Sequence, residues 1–126
     1  MAVTYALATE STYKAGANVS STATGAGVTL ALGIMAEGNI NTASQFDWST
    51  WYTANSATYP HVAQLLVDTA TNLVAIYIIN YDMSGFTNIQ EAVSRINTLY
   101  AIYISEIALL KEESKKDYII RGGTNP

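Results

Sequence analysis

At 126 residues the chain is sized for one domain, and its charged fraction of 13% is about half the share usual in soluble domains, beside an ordinary 49% hydrophobic content. Six basic residues against ten acidic ones give a net charge of −4, which excludes a surface built to grip phosphates. With no cysteine, the chain has no disulfide framework, thiolate nucleophile or sulfur-ligated metal.

The charge deficit is concentrated. Between Lys14 and Arg95 there is no Lys or Arg, and the acids are Glu37, Asp47, Asp68, Asp82 and Glu91. A domain of this size leaves much of its area outside its own core. Here that area must be Thr, Ser, Asn, Ala and Tyr, the kind of surface that neighbouring subunits cover, since interface cores lose charge and gain Tyr, Trp and Met. A free, poorly charged monomer is the alternative.

Taken in chain order, MAVTYALATES lacks the basic start and apolar run of a signal peptide, so none is expected. Thr9 is placed to cap a short helix over ESTYKAGA, with Glu10 in its first turn. VSSTATGAG at 19–27 reads as a loop. Leu30, Ile34, Met35, Ala36 and Ile40 then predict a helix from about 28 to 43. Gly33 and Gly38 fall inside it at about 1 kcal/mol each relative to Ala, which close backbone packing would offset. SQFDWSTWYTANSATY at 44–59 holds Phe46, Trp48, Trp51, Tyr52 and Tyr59, a density that suits a loop or short helix clamped on the core, or an interface anchor.

Residues 60–81 predict a helix with Pro60 in the first turn. Leu65, Leu66, Thr69, Leu73, Ile76 and Tyr77 are assigned one face, and Gln64, Asp68 and Thr71 another. Its run from Val62 to Tyr81 is apolar, but Gln64, Asp68, Asn72 and Asn80 would each be costly in lipid, so it reads as a buried or interface helix and no membrane is expected. A short connection with Gly85 leads to a helix from about 89 to 115, opened by TNIQE with Thr87 or Asn88 as cap. Ile89, Ala92, Val93, Ile96, Leu99, Tyr100, Tyr103, Ile107 and Leu110 follow its three-four spacing, and Glu91 with Arg95 forms a one-turn pair. Ile102, Ile104 and Leu109 widen the stripe beyond what one partner helix needs, implying a second contact face. The tail KEESKKDYIIRGGTNP turns polar and then presents Tyr118, Ile119, Ile120 and Arg121, read as an extended arm that docks on a neighbour. The expected architecture is therefore all-α: a bundle of about four helices over 1–116 with an antiparallel C-terminal hairpin, and an arm over 117–126.

Catalytic signals are sparse. His61 is the only histidine and reads as a surface or capping residue, since it cannot make a multi-ligand zinc site alone. The acids are irregularly spaced. Asp82, Ser84 and Gly85 resemble a fragment of a calcium loop without its alternating ligands or closing Glu, and turn duty explains them better. The GAG at 25–27 lacks the rest of a dinucleotide fingerprint. No catalytic residue, cofactor or metal ligand is expected.

AEGNINTASQFDW at 36–48, LLVDTATNLVAIYIINYDMSGFTN at 65–88 and EAVSRINTLYAIYISEIALLK at 91–111 together resemble the small helical head-to-tail connector, or adaptor, proteins of tailed viruses and prophages. The resemblance covers about residues 36–120; the N-terminal third is richer in glycine and threonine than that pattern. It implies a virion subunit in a homo-oligomeric, typically twelvefold ring beneath the portal protein. Such a ring extends the DNA channel and carries the tail or next connector. On that basis the arm at 118–121 would reach the portal or a neighbour, and Asp47, Asp68 and Asp82 would face a channel through which DNA slides without specific binding. Two rivals stay open: another virion part, such as a tail-completion or capsid-associated protein, and a small helical enzyme or ligand-binding bundle with residues 46–59 as a pocket wall.

Overall fold

The computed structural model describes residues 3–16, 22, 24–86 and 88–123. Among these residues the fold is all-α, without a strand: α1 (Ala8–Ala15), α2 (Ala26–Ser44), α3 (Trp48–Asn55), α4 (Pro60–Tyr81), α5 (Ile89–Lys111) and α6 (Glu113–Ile120).

Helix α4 is the hub against which α1, α2, α3 and α5 all pack. Fourteen of its 22 residues are buried, so the expected division into an apolar and a polar face is corrected: Thr71 is fully buried, whereas Leu65 and Tyr77 are only partly so. Thr69 and Thr71 are accommodated because each hydroxyl donates at 2.7 Å to the carbonyl four residues back, Leu65 and Val67 respectively. Among the described residues α4 is the one helix long and apolar enough to cross a membrane, and 78% of its most apolar window is covered by the rest of the chain.

The N-terminal helices each start about two residues earlier than expected. Helix α1 starts at Ala8 with Leu7 as its cap, leaving Thr9 inside. Helix α2 starts at Ala26, so the loop expected through residue 27 ends sooner; residues 19–21 and 23 of that loop lie outside the described set. Asp47 caps α3, accepting from Thr50 N at 3.2 Å, and the aromatic segment serves the core: Trp48 is fully buried and stacks edge-on against Trp51 at 5.9 Å. Asn88 caps α5 through Glu91 N at 2.9 Å; Thr87 lies outside the described residues.

The largest correction is at the C-terminal end. Helix α5 does not run to 115 but stops at Lys111, where Glu112 takes an extended conformation. The chain then forms α6, where an extended arm was expected from residue 117. The helix folds back onto its own chain. Lys116 buries its stem and donates from Nζ to Ser44 O at 3.0 Å, Ile119 enters the core, and Trp51 Nε1 donates to Ile120 O at 3.0 Å. Gly122 and Gly123 end α6 with φ of 72° and 79°, and the ring of Tyr59 lies where a Cβ on Gly122 would sit. Residues 124–126 lie outside the described set.

The two mid-helix glycines of α2 have opposite surroundings. A Cβ on Gly33 would stand 2.6 Å from Val3 Cγ1, whereas one on Gly38 would meet nothing within 4 Å. Gly33→Ala is therefore expected to destabilise by about 1–3 kcal/mol through overpacking, and Gly38→Ala to stabilise by roughly 1 kcal/mol. Urea denaturation of the two variants beside the parent checks both signs.

Candidate functional site

Three local arrangements stand out once the helices are in place. The first is an anion cradle at the N-terminal segment. Glu37, the sole charged residue of α2, is buried, and its Oε2 accepts the backbone amides of Thr4, Tyr5 and Ala6 at 2.7, 2.7 and 2.8 Å. The Ser49 hydroxyl donates to Oε1 at 3.4 Å, and Tyr5 donates from its own hydroxyl to Asn41 Oδ1 at 2.7 Å. Burial, then the Glu37 carboxylate, raise the Tyr5 phenol well above its ordinary value, so it stays protonated and donating.

The second arrangement ties α1, α4 and α5 together. Lys14 Nζ donates to Thr71 Oγ1 at 2.7 Å and lies 3.4 Å from Asp68 Oδ1, while Arg95 donates from Nε and Nη2 to Lys14 O at 2.9 and 2.7 Å. Asn72 Nδ2 donates to Glu106 Oε1 at 2.7 Å. Burial raises the Glu106 carboxyl above its usual range, with Asp68 adding to the rise and Asn72 and Lys14 opposing it.

The third is a surface. On α5 the buried residues are Ala92, Leu99, Ile107 and Leu110, with Ile96 and Tyr103 partly covered. Ile89, Val93 and Tyr100, expected on that same buried face, instead stay open, Ile89 at 63% and Tyr100 at 54%. They form a flank that Ile104 extends, at steps of four, seven and four residues, while Ile102 is exposed on the opposite flank and Leu109 is half-buried. Between Arg95 and Lys111 the sole charged residue is Glu106, which turns to Asn72. The outer surface of α5 over residues 96–110 is thus uncharged. Helix α2 repeats the pattern, with Leu30 and Met35 exposed and Glu37 turned inward. Tyr77, Tyr103 and Tyr100 carry this surface across the seam between α4 and α5: Asn39 donates to the Tyr77 hydroxyl at 2.7 Å, the Tyr100 and Tyr103 rings lie 6.5 Å apart, and burial raises the Tyr103 phenol.

The other residues singled out by sequence scatter. Asp47 is held by Thr50, whose hydroxyl donates at 2.7 Å and lowers its carboxyl below the usual range. Asp68 joins the Lys14 network and accepts from Gln64 at 3.1 Å; Asp82 accepts from Ser84 N at 2.9 Å in a turn. Asp68 lies about 20 Å of helix rise before Tyr81, the last residue of α4, and Asp82 follows it, so the three acids do not gather into one patch. Of the expected arm, Ile119 is buried and Ile120 partly so, leaving Tyr118 and Arg121 outward. Glu37, Asn72, Glu106 and Lys116 were not foreseen. For Glu37 the signal was available: a single acid in a helix of otherwise neutral residues needs a partner. Among the described residues no group of three or more His, Asp or Glu could hold a metal ion. Comparison with protein families, with curated proteins and with solved structures finds no match to this chain.

Removing the Glu37 carboxylate orphans three amides, two of them buried. Glu37→Ala is expected to cost on the order of 3 kcal/mol, and Glu37→Gln, which keeps an acceptor without its charge, about half of that, measured by chemical denaturation. For Glu106 the folded carboxyl binds its proton more tightly than the unfolded one. Its contribution is therefore neutral below the ordinary Glu value and becomes destabilising as pH rises through the raised one. Glu106→Gln, still able to accept from Asn72, should be more stable than the parent near neutral pH. The two should converge on acidification to about pH 3, in urea titrations across that range.

Proposed function

We propose that this chain is a structural subunit of a tailed-virus particle, a head-to-tail connector whose copies form a ring, about twelvefold, between the portal protein and the tail or next connector. The observation that carries the reading is the uncharged outer surface of α5 over residues 96–110, with Tyr100, Ile102 and Ile104 open to solvent in a single chain, Ile89 and Val93 open on the turns before it, and a second neutral face on α2. Large side chains without nearby charge are what protein interfaces cover. The sequence resemblance over residues 36–120 supplies the identity of the assembly.

In this reading the helices form a bundle whose α4 and α5 are an antiparallel hairpin. The Asn72 to Glu106 hydrogen bond and the shared cleft lined by Leu65 and Leu109 support that direction. The ring lies in the virion at the head-to-tail junction and passes DNA without gripping it, in keeping with the net charge of −4. Asp47, Asp68 and Asp82 are all reached by solvent, Asp68 while paired with Lys14, and are the acids assigned to a channel wall. Tyr118 and Arg121 are what the folded-back C-terminal end still offers a neighbour. The proposal assigns no catalytic step and no cofactor.

The test is assembly. Native mass spectrometry and electron microscopy of the purified chain with its portal should find a closed ring seated on the portal. Tyr100→Glu with Ile104→Glu should leave a folded monomer whose own stability changes by no more than about 0.5 kcal/mol, because both sites are exposed. A chain that stays monomeric beside its portal at high concentration overturns the reading.

A further inference from the structure

A cleft of about 340 Å³ opens between the start of α4, the end of α5 and α6. Its size lies at the lower end of small-molecule sites. The interior is aliphatic, walled by Val62, Leu65, Leu109 and Ile119. Polar groups stand at the mouth: His61, Lys115 and Tyr118. The Gly122–Gly123 turn backs this wall, since a Cβ on Gly123 would fall 3.0 Å from both His61 Nε2 and Val62 Cγ1 and 3.4 Å from the Tyr118 hydroxyl. The positive φ of Gly123 thus lets the backbone press against His61 and close one side of the cleft.

The chemistry of the mouth restricts the occupant. Lys115 Nζ pairs with Glu112 Oε2 at 2.8 Å on the surface, and two of its three N–H donors remain to be used. The other Glu112 oxygen is taken by the Ser114 hydroxyl at 2.7 Å. His61 is exposed and makes no hydrogen bond among the described residues; Gly123 crowds its Nε2, which leaves Nδ1 the more open nitrogen. In a chain of net charge −4, a lysine, an imidazole and a phenol around an aliphatic hollow complement a ligand with an anionic head and an apolar body. A cation would face Lys115, and a bare phosphate would gain nothing from the four aliphatic walls.

We propose that this cleft binds a small amphipathic carboxylate of the medium-chain fatty acid class, its alkyl chain between Leu65, Leu109 and Ile119 and its head at Lys115 and His61. Because Tyr118 lines this cleft, the site is tested on the free chain in solution, before any neighbour could cover it.

The test uses the full chain with sodium octanoate, 1-octanol and octylamine as probes, followed by amide NMR shifts and melting temperature. Octanoate at millimolar concentration should shift the amides around residues 61–65, 109 and 115–119 and raise the melting temperature, octanol should bind at least about tenfold more weakly, and octylamine should not bind. Lys115→Gln should weaken octanoate by about tenfold while leaving octanol unchanged, and Leu109→Trp should fill the cleft and abolish both. The probe comparison needs no variant, so a misfolded Leu109→Trp does not blunt the test. No shift with 10 mM octanoate, octanol binding as tightly as octanoate, or octanoate affinity unchanged in Lys115→Gln each overturns the proposal.

Discussion

Burial of α4 on nearly every side is the constraint from which the other elements take their positions. Leu66, Val74, Ile78 and Ile79 are fully enclosed, each contributing roughly 1.5–3 kcal/mol of transfer free energy. A 126-residue chain cannot enclose a 22-residue helix with one partner, so α1, α2, α3 and α5 are all drawn onto it. That arrangement buries Ala15 of α1 and Trp48 and Trp51 of α3. It leaves α5, which faces α4 along one side, with apolar residues still outside.

Enclosing α4 also requires its polar groups to be answered. Thr69 and Thr71 satisfy themselves locally, while Asn72 depends on Glu106 and the Lys14 ammonium depends on Thr71. Among the described residues no buried side-chain nitrogen or oxygen lacks a partner. Glu37 solves the same problem without a cation. Three consecutive amides surround one carboxylate oxygen, and the segment carrying them brings Tyr5 and Ala6 into the core and Val3 against Gly33. The Val3 side chain that this segment places on α2 leaves no room for a Cβ at residue 33.

The parts legible in the sequence are those where periodicity and local chemistry agree. The helices over 60–81 and from 89 onward follow from spacing, Pro60 and the Asn88 cap, and the core role of Trp48 and Trp51 follows from their size. The stop at Glu112 was hidden because KEESKK is made of good helix formers with no glycine or proline to mark a break. Helix α6 was hidden for the complementary reason. An eight-residue helix is marginal by itself and exists through tertiary contacts, here Lys116 on Ser44 and Ile120 on Trp51, that span about seventy residues of sequence. The candidate surface was half legible. The stripe on α5 names the right residues, but periodicity does not say which of two adjoining apolar strips α4 will cover. The cradle around Glu37 was the least legible of all, because its donors are backbone amides and any sequence carries those.

The docking of α6 has an optical consequence. Trp51, nearly enclosed, has its indole N–H on the carbonyl of Ile120, and the fully enclosed Trp48 donates to the hydroxyl of Ser44, whose carbonyl accepts from Lys116 of that helix. Their emission should therefore be blue-shifted in the folded chain and move to the red when α6 lifts away, even if α4 and α5 stay packed. The chain thus carries an intrinsic spectroscopic probe at the one joint where its C-terminal helix is fastened.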